Sequence, residues 1–141
     1  MVSRKIAEAM RPASPETVAG PTTGGIILAY EVGRQLGLRG IFAERAADGG
    51  RAFQRDFHLR PGERVLVVDD VLTSGASVRE TLQAVRDAGG QAVGVAVLVD
   101  RSGGAVQFDD LPFFAATEFS LETYDASDCP LCREGAPLTI T

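Results

Sequence analysis

Residues 64–77 read RVLVVDDVLTSGAS, and this stretch decides the fold. Residues 64–68 form an apolar, β-branched run without alternation, which is typical of a strand covered on both faces. From Ser77 onward, apolar residues recur at helical spacing until the glycine pair at 89–90, so we predict a helix there. The stretch therefore predicts a strand, a short loop and a helix in direct succession.

The loop of this unit has the composition of an anion site. Residues 73–76, TSGA, offer hydroxyls and backbone N–H groups with little side-chain bulk. They precede a helix, whose N-terminus favours negative charge, so we predict that they bind a phosphate.

Asp69 and Asp70 stand between the strand and this loop, and we expect both carboxylates to be exposed at the strand end. Carboxylates would repel a phosphate, so their expected partners are sugar hydroxyls or a hydrated Mg²⁺ beside it. A phosphorylated sugar would satisfy the loop and the acidic pair together. An acidic pair after a strand can also be only a solvated strand end, so it is the whole unit that indicates the site.

A second loop of similar composition lies upstream. Residues 20–25, GPTTGG, precede a predicted helix over 26–36 that is closed by Gly37. Proline and glycine can merely punctuate a turn, but a second strand–loop–helix unit favours a second anion site. The sequence contains neither G-x-x-x-x-G-K-[ST] nor G-x-G-x-x-G after a strand, which disfavours a nucleotide-hydrolysing P-loop and a dinucleotide fold.

The rest of the chain also alternates between predicted strands and predicted helices. We predict a short helix ended by Pro12, a brief strand around Val18, and strands over 39–45, 91–101 and 111–118. Residues 44–58 are polar, with Gly49 and Gly50 at a flexible tip, and form a mobile loop or hairpin that is a candidate lid. Strands that alternate with helices predict an α/β protein with a mostly parallel central sheet flanked by helices, with ligands beyond the carboxyl ends of the strands. We expect one domain over residues 1–141, with a tail from about 120 to 141.

Composition narrows the classes of partner. The chain has 141 residues, 45% hydrophobic and 23% charged, with a net charge of −5 and Lys5 as the one lysine. These values disfavour a surface for nucleic acid. No apolar run reaches the length of a membrane span and the N-terminus lacks the apolar core of a signal peptide, so we expect no membrane partner and a cytoplasmic location.

Both cysteines lie in CPLC, residues 129–132. A structural zinc site needs four ligands, and His58 is distant in sequence. A thioredoxin-like role requires the motif to open a helix after a strand, which we do not expect here. Reduced tail cysteines are the favoured interpretation.

The stretch VLVVDDVLTSGAS resembles the signature of the type I phosphoribosyltransferases, which bind 5-phosphoribosyl 1-pyrophosphate. The resemblance implies their Rossmann-like fold. It also implies that Asp69 and Asp70 are the catalytic pair and hold the ribose hydroxyls, and that the 20–25 loop holds the pyrophosphate. The donor-binding residues it implies are Asp69, Asp70, Val71, Leu72, Thr73, Ser74, Gly75, Ala76, Ser77, Thr22, Thr23, Gly24 and Arg45.

Within that family the wider similarity is to the orotate phosphoribosyltransferases, through residues 20–37, IFAER, VLVDRSGG and the CPLCREGAPL tail. It implies transfer of the phosphoribosyl group to orotate in pyrimidine biosynthesis, with Thr73 and Arg101 on the orotate. It also implies Mg²⁺ held mainly by the ligand and water with no direct protein ligand, and a homodimer in which residues 26–36 or the lid take part. A guanidinium suits the orotate carboxylate better than an ammonium does.

Two features depart from the family pattern. Many orotate enzymes carry lysines in the lid, whereas residues 44–58 contain none. Arg45 is the first candidate to replace them, with Arg51, Arg55 and His58 as alternatives, unless the lid is of a shorter type. Family members also begin with an N-terminal segment that forms a hood over the base. This chain starts just before the first predicted strand, so we expect either a truncated sequence or a partial base site.

The second departure leaves two other functions open. One is a non-catalytic regulatory protein that binds phosphoribosyl pyrophosphate, and the other is a phosphoribosyltransferase that acts on a purine base. Arg101 and the RSGG that it begins favour an acceptor with a carboxylate.

Overall fold

The computed structural model describes residues 2–120, 122, 124–125 and 127–137. Its strands are β1 (Thr17–Pro21), β2 (Arg39–Arg45), β3 (Arg51–Phe53), β4 (Arg64–Leu72), β5 (Gln91–Asp100) and β6 (Phe113–Glu118). Its helices are α1 (Val2–Met10), α2 (Gly24–Leu36), α3 (Ala76–Asp87) and α4 (Pro130–Arg133), with a 3₁₀ turn at Arg11–Ala13. None of these helices is long and apolar enough to cross a bilayer.

The strands form one sheet in the order β3-β2-β1-β4-β5-β6. Neighbouring strands are parallel except β2 and β3, which are antiparallel. The prediction of a mostly parallel α/β sheet flanked by helices is confirmed.

The central strand β4 is buried on both faces, which explains its lack of alternation. Val65 and Val67 pack in the cluster that contains the apolar face of α3, and Leu66 and Val68 pack in the cluster that contains α1 and α2. Each of these four residues is 0% exposed. Full burial of such a side chain contributes about 1.5–3 kcal/mol, as an upper estimate.

Strand β4 is longer than its apolar run predicts. It continues through Asp69 and Asp70 to Leu72, because β5 extends alongside it and pairs Val97 with Asp69 and Asp100 with Leu72. Helix α2 also begins earlier than predicted, at Gly24 rather than at residue 26.

The candidate lid is mainly a β-hairpin. Strand β3 pairs with β2 through Arg51 to Arg45, Ala52 to Glu44 and Phe53 to Ala43. The turn of this hairpin is closed by a hydrogen bond from Ala46 N–H to Gly50 O at 2.9 Å. Of the two predicted forms, the structure has the hairpin.

An ionic cluster lies at the amino ends of β1 and β4, around the Glu63 carboxylate, whose side chain is 3% exposed. Thr17 Oγ1 donates to Glu63 Oε1 at 2.5 Å, Arg39 Nη2 donates to the same oxygen at 3.0 Å, and Arg60 N–H donates to Oε2 at 2.8 Å. Burial alone would raise the pKa of Glu63, but these donors outweigh it and lower that pKa to about 2.

The tail contains the short helix α4, which Cys129 directly precedes and which has Pro130 at its first position. The described residues between β6 and Cys129 form no strand, so the CPLC motif does not open a helix after a strand, as predicted. Residues 121, 123, 126 and 138–141 of the predicted tail lie outside the described residues.

Candidate active site

The two predicted anion loops meet at one edge of the sheet, because β1 and β4 are parallel and both loops follow carboxyl ends. Their contact is close at Gly24, the first residue of α2. A Cβ at this position would lie 1.9 Å from Oδ2 of Asp70, so only glycine leaves room for that carboxylate. The 20–25 loop and the acidic pair thus form a single site. The peptide bond between Thr22 and Thr23, in the same loop, is cis.

The loop between β4 and α3 is only three residues long, Thr73 to Gly75. Gly75 precedes the helix with a φ of 79°, a left-handed conformation that glycine adopts without strain. A small cavity at this turn is lined by Asp69 and by residues 71–78. The first turn of α3 directs its backbone N–H groups towards this end of the helix, an arrangement suited to a phosphate.

The carboxylates of Asp69 and Asp70 differ in environment. Asp69 is 5% exposed, so the expectation that both would be exposed at a strand end is wrong for this residue. Its Oδ1 accepts the N–H of Asp70 at 2.9 Å, and Oδ1 of Asp70 accepts the N–H of Val71 at 2.8 Å. The backbone therefore fixes both carboxylates at the site.

Burial raises the pKa of Asp69 to about 7. The hydrogen bond from the backbone of Asp70 lowers that pKa, whereas the side chain and charge of Asp70 raise it further. Arg51 acts in the opposite direction, because its positive charge lowers the pKa of Asp69.

Arg51 is a site residue whose place the sequence did not reveal. It was one of several alternatives for a lid cation, but its side chain is only 4% exposed and packs against β2, α3 and the 20–25 loop. Its guanidinium contacts Glu80 of α3 and Thr22 of the 20–25 loop. No periodicity or motif marks this position, because its partners come from elements distant in the sequence.

The first candidate for the lid, Arg45, remains at the surface with 63% of its side chain exposed. Its Nη1 lies 3.4 Å from Oε2 of Glu80 and donates to Gly49 O at 3.2 Å. Arg55 pairs with Glu44 at 2.8 Å. In the structure, therefore, these two exposed arginines are held by carboxylates of the protein.

Thr73 and Arg101, the residues predicted to contact the base, line a common cavity of about 470 Å³. The N–H of Arg101 donates to Leu72 O at 2.8 Å, which holds its backbone against the end of β4. Nε of Arg101 is buried without a hydrogen-bond partner among the residues that the structure describes. Sequence reasoning missed Asp100, whose Oδ1 accepts the N–H of Ser102 at 2.7 Å and so caps the turn that carries Arg101.

Comparison with known proteins gives the family. The phosphoribosyl transferase domain model matches residues 2–119. Orotate phosphoribosyltransferase of Caldanaerobacter subterraneus subsp. tengcongensis is 48% identical over 136 residues, which cover 96% of this chain and 70% of that protein.

Two crystal structures resemble the fold. Orotate phosphoribosyltransferase of Mycobacterium tuberculosis, in complex with Fe(III) dicitrate, aligns with a TM-score of 0.68 and 26% identity over 83% of this chain and 70% of its own. Adenine phosphoribosyltransferase of Thermoanaerobacter pseudethanolicus aligns with a TM-score of 0.71 and 18% identity over 84% of this chain and 78% of its own, which shows similarity of fold alone. On its sequence, its two loops and its sheet, this chain belongs to the orotate phosphoribosyltransferase family of type I phosphoribosyltransferases.

Proposed function

We propose that this chain transfers the phosphoribosyl group of 5-phosphoribosyl 1-pyrophosphate to orotate, giving orotidine 5-monophosphate and pyrophosphate. One observation carries the proposal. The acidic pair and both anion loops meet at one sheet edge in a chain that is 48% identical to an orotate phosphoribosyltransferase. A similarity of fold to an adenine enzyme at 18% identity does not favour a purine acceptor.

The 5-phosphate, the ribose and the pyrophosphate of the donor each bind to a different part of the site. The 5-phosphate lies in the loop of residues 73–77, where the hydroxyls and the N–H groups of the first turn of α3 surround it. The ribose hydroxyls donate to Asp69 and Asp70, which backbone N–H groups already orient. The pyrophosphate lies at the 20–25 loop, against the N-terminus of α2, a helix of 13 residues.

In the reaction, the bond from ribose C1 to the pyrophosphate oxygen breaks and a bond from C1 to a ring nitrogen of orotate forms, while that nitrogen loses its proton to the departing pyrophosphate or to water. The transition state carries positive charge on the ribose, and the carboxylates of Asp69 and Asp70 lie where they stabilise it. No covalent nucleophile is required. The hairpin contacts the 20–25 loop through Arg51, and its closure over the site would exclude water from the electrophilic carbon.

Magnesium is part of this proposal. The described residues contain no group of three or more potential metal-ligating side chains. We propose that the ion would be held mainly by phosphate oxygens and water, as Mg²⁺ often is in phosphate-binding sites, and that the acidic pair would accept hydrogen bonds from that water. Bound Mg²⁺ would neutralise charge on the departing pyrophosphate.

Orotate is placed in the cavity that Thr73 and Arg101 line. The guanidinium of Arg101 has no carboxylate partner among the described residues, and orotate brings one. A planar fork binds a carboxylate at two points, which discriminates orotate from bases that lack this group.

We also propose a homodimer. Ile27 and Tyr30 lie three residues apart on α2 and are 76% and 66% exposed. Neighbouring apolar side chains on an exposed helix are typical of an interface. Light scattering of the wild-type chain and of Tyr30→Ser tests this, since a monomeric wild type at micromolar concentration would contradict the proposal.

The test of function is a panel of free bases. The chain is supplied with 5-phosphoribosyl 1-pyrophosphate and Mg²⁺, and pyrophosphate release is measured with orotate, uracil, adenine or guanine. We expect release with orotate alone. Donor binding by calorimetry without release for any base would instead indicate a regulatory protein, and release with adenine or guanine would indicate a purine enzyme.

A further inference from the structure

We propose that Arg51 is a positioning residue for the pyrophosphate leaving group. It fixes Thr22 of the 20–25 loop to helix α3 and supplies a buried positive charge beside that loop. This inference rests on the proposed function, because it assumes that the 20–25 loop holds pyrophosphate.

The guanidinium of Arg51 is anchored from three directions. Its Nε donates to Glu80 Oε2 at 3.1 Å, and its Nη1 donates to Thr22 Oγ1 at 3.0 Å and to Ala43 O at 3.3 Å. These partners lie on α3, on the 20–25 loop and on β2. A rigid planar fork with several donors can join three elements in this way, whereas an ammonium group cannot reproduce the geometry.

The bond to Thr22 also determines what the threonine hydroxyl can do. Because Thr22 Oγ1 accepts a hydrogen bond from Arg51, the proton of its O–H group remains available for donation to an anion in the loop. Contact with a guanidinium polarises the hydroxyl and makes it a better donor. Arg51 thus prepares the loop for a phosphate oxygen.

The positive charge of Arg51 also influences the acidic pair. Asp69 and Asp70 bring two carboxylates to the place where a highly charged leaving group departs, so a fixed cation is needed near them. Burial and Asp70 raise the pKa of Asp69, and the positive charge of Arg51 partly opposes that rise. The side chain of Arg51 is 4% exposed, so solvent screens this charge little.

Arg45 and Arg51 both contact Oε2 of Glu80, but they differ in burial and therefore in how firmly each is held. Its side chain is 63% exposed and its contact is longer, at 3.4 Å. A surface pair of this kind is weak, and Arg45 can exchange Glu80 for a phosphate at little cost. The hairpin therefore provides one fixed cation and one movable cation in place of the lysines that it lacks.

The experiment measures binding of the pyrophosphate end and of the ribose 5-phosphate end of the donor separately. Calorimetry measures binding of pyrophosphate with Mg²⁺, and separately of ribose 5-phosphate, to the wild type, Arg51→Met and Arg51→Lys. Arg34→Met is the control, because it removes one positive charge from an exposed pair on α2. We expect Arg51→Met to weaken pyrophosphate binding about 10- to 100-fold and to change ribose 5-phosphate binding by less than about twofold. Arg51→Lys should fall between, and Arg34→Met should change neither.

Two further measurements separate positioning from a general structural role. The acidic limb of kcat/KM for the transfer reaction should move to higher pH in Arg51→Met, because Asp69 loses a cation that favours its ionised form, the form that the proposed transition state requires. In a Thr22→Val background, Arg51→Met should have a smaller effect than in the wild type, since the two residues act through one hydrogen bond.

The outcomes are distinct. Unchanged pyrophosphate affinity in Arg51→Met, with the wild type binding both ligands, overturns the inference and leaves the proposed function intact. A wild type that binds neither pyrophosphate nor ribose 5-phosphate overturns both. Should circular dichroism show that Arg51→Met is unfolded, Arg51→Lys decides, because wild-type affinity in that variant contradicts positioning by the guanidinium fork.

Discussion

Replacing Asp69 by asparagine should stabilise the folded protein at pH 8 while it abolishes donor binding. Asp69 is 5% exposed, and its burial, together with the charge of Asp70, raises its pKa to about 7. At pH 8 the folded protein therefore holds a carboxylate in surroundings that disfavour its charge. An amide has no charge to bury, and its oxygen can still accept the N–H of Asp70.

The magnitude follows from the pKa. The ordinary value is 3.8 and the folded value is about 7. Between these two pH values the folded state binds more protons than the unfolded state, so stability falls as the pH rises and the cost is complete above pH 7. A shift of about 3 units, at about 1.4 kcal/mol each, sets an upper bound of about 4 kcal/mol. Because Asp70 shares the titration, we expect a gain of about 1–3 kcal/mol for Asp69→Asn at pH 8.

Urea unfolding curves of the wild type and of Asp69→Asn, recorded at pH 8 and at pH 4, measure this gain. With an unchanged m-value, the shift of the unfolding midpoint gives the difference in the free energy of unfolding. The gain should be largest at pH 8 and nearly absent at pH 4, where the folded carboxyl is protonated. Asp110→Asn is the matched control, because it removes one carboxylate from an exposed position and should alter stability little at either pH. A variant no more stable than the wild type at pH 8, or equally stabilised at both pH values, would refute the reasoning.

Three further predictions concern other parts of the molecule. Arg101→Ala should lower kcat/KM for orotate about 30- to 1000-fold, because about 2–4 kcal/mol of charged contacts are lost. Calorimetry should show unchanged donor binding in this variant. Turnover equal to that of the wild type would contradict the placement of orotate in the cavity beside Arg101. Because the pKa of Glu63 is lowered to about 2, its stabilisation is present above pH 4.5 and is lost as the pH falls towards 2. Glu63→Gln should therefore cost up to about 3 kcal/mol at pH 7 and almost nothing at pH 2 in urea unfolding, and a cost independent of pH would contradict this. Gly24→Ala should weaken donor binding about 10-fold or more, because the added methyl group displaces Asp70. Gly50→Ala, in a more open position, should leave donor binding unchanged. Equal donor affinities of the two variants in calorimetry would contradict the importance of the close approach between Gly24 and Asp70.

Local signals predicted the parts of the fold that depend on one segment. The apolar run of β4 and the helical spacing after Ser77 are properties of consecutive residues, and they gave the central strand–loop–helix unit. The burial of Asp69 depends on β5, which lengthens β4 by pairing with it, and nothing within residues 64–77 encodes this.

The place of Arg51 was equally beyond local reasoning. Both Thr22 and Glu80 are 29 residues away from it in sequence, one on each side. In a polar segment with several arginines, only the tertiary structure distinguishes the buried one from those at the surface. The helix after Cys129 did have a local signal, because proline directly after the cysteine is typical of a first helical position.

The ionic cluster around Glu63 has a practical consequence for engineering this protein. Glu63 and Asp70 are seven residues apart along one extended segment, so the cluster lies about 23 Å from the acidic pair. Changes that strengthen it, or a tether to a solid support attached beside Arg60, would act at the end of the sheet remote from substrate. Heat tolerance and immobilisation can thus be designed at one rim of the molecule while catalysis at the other rim is left undisturbed.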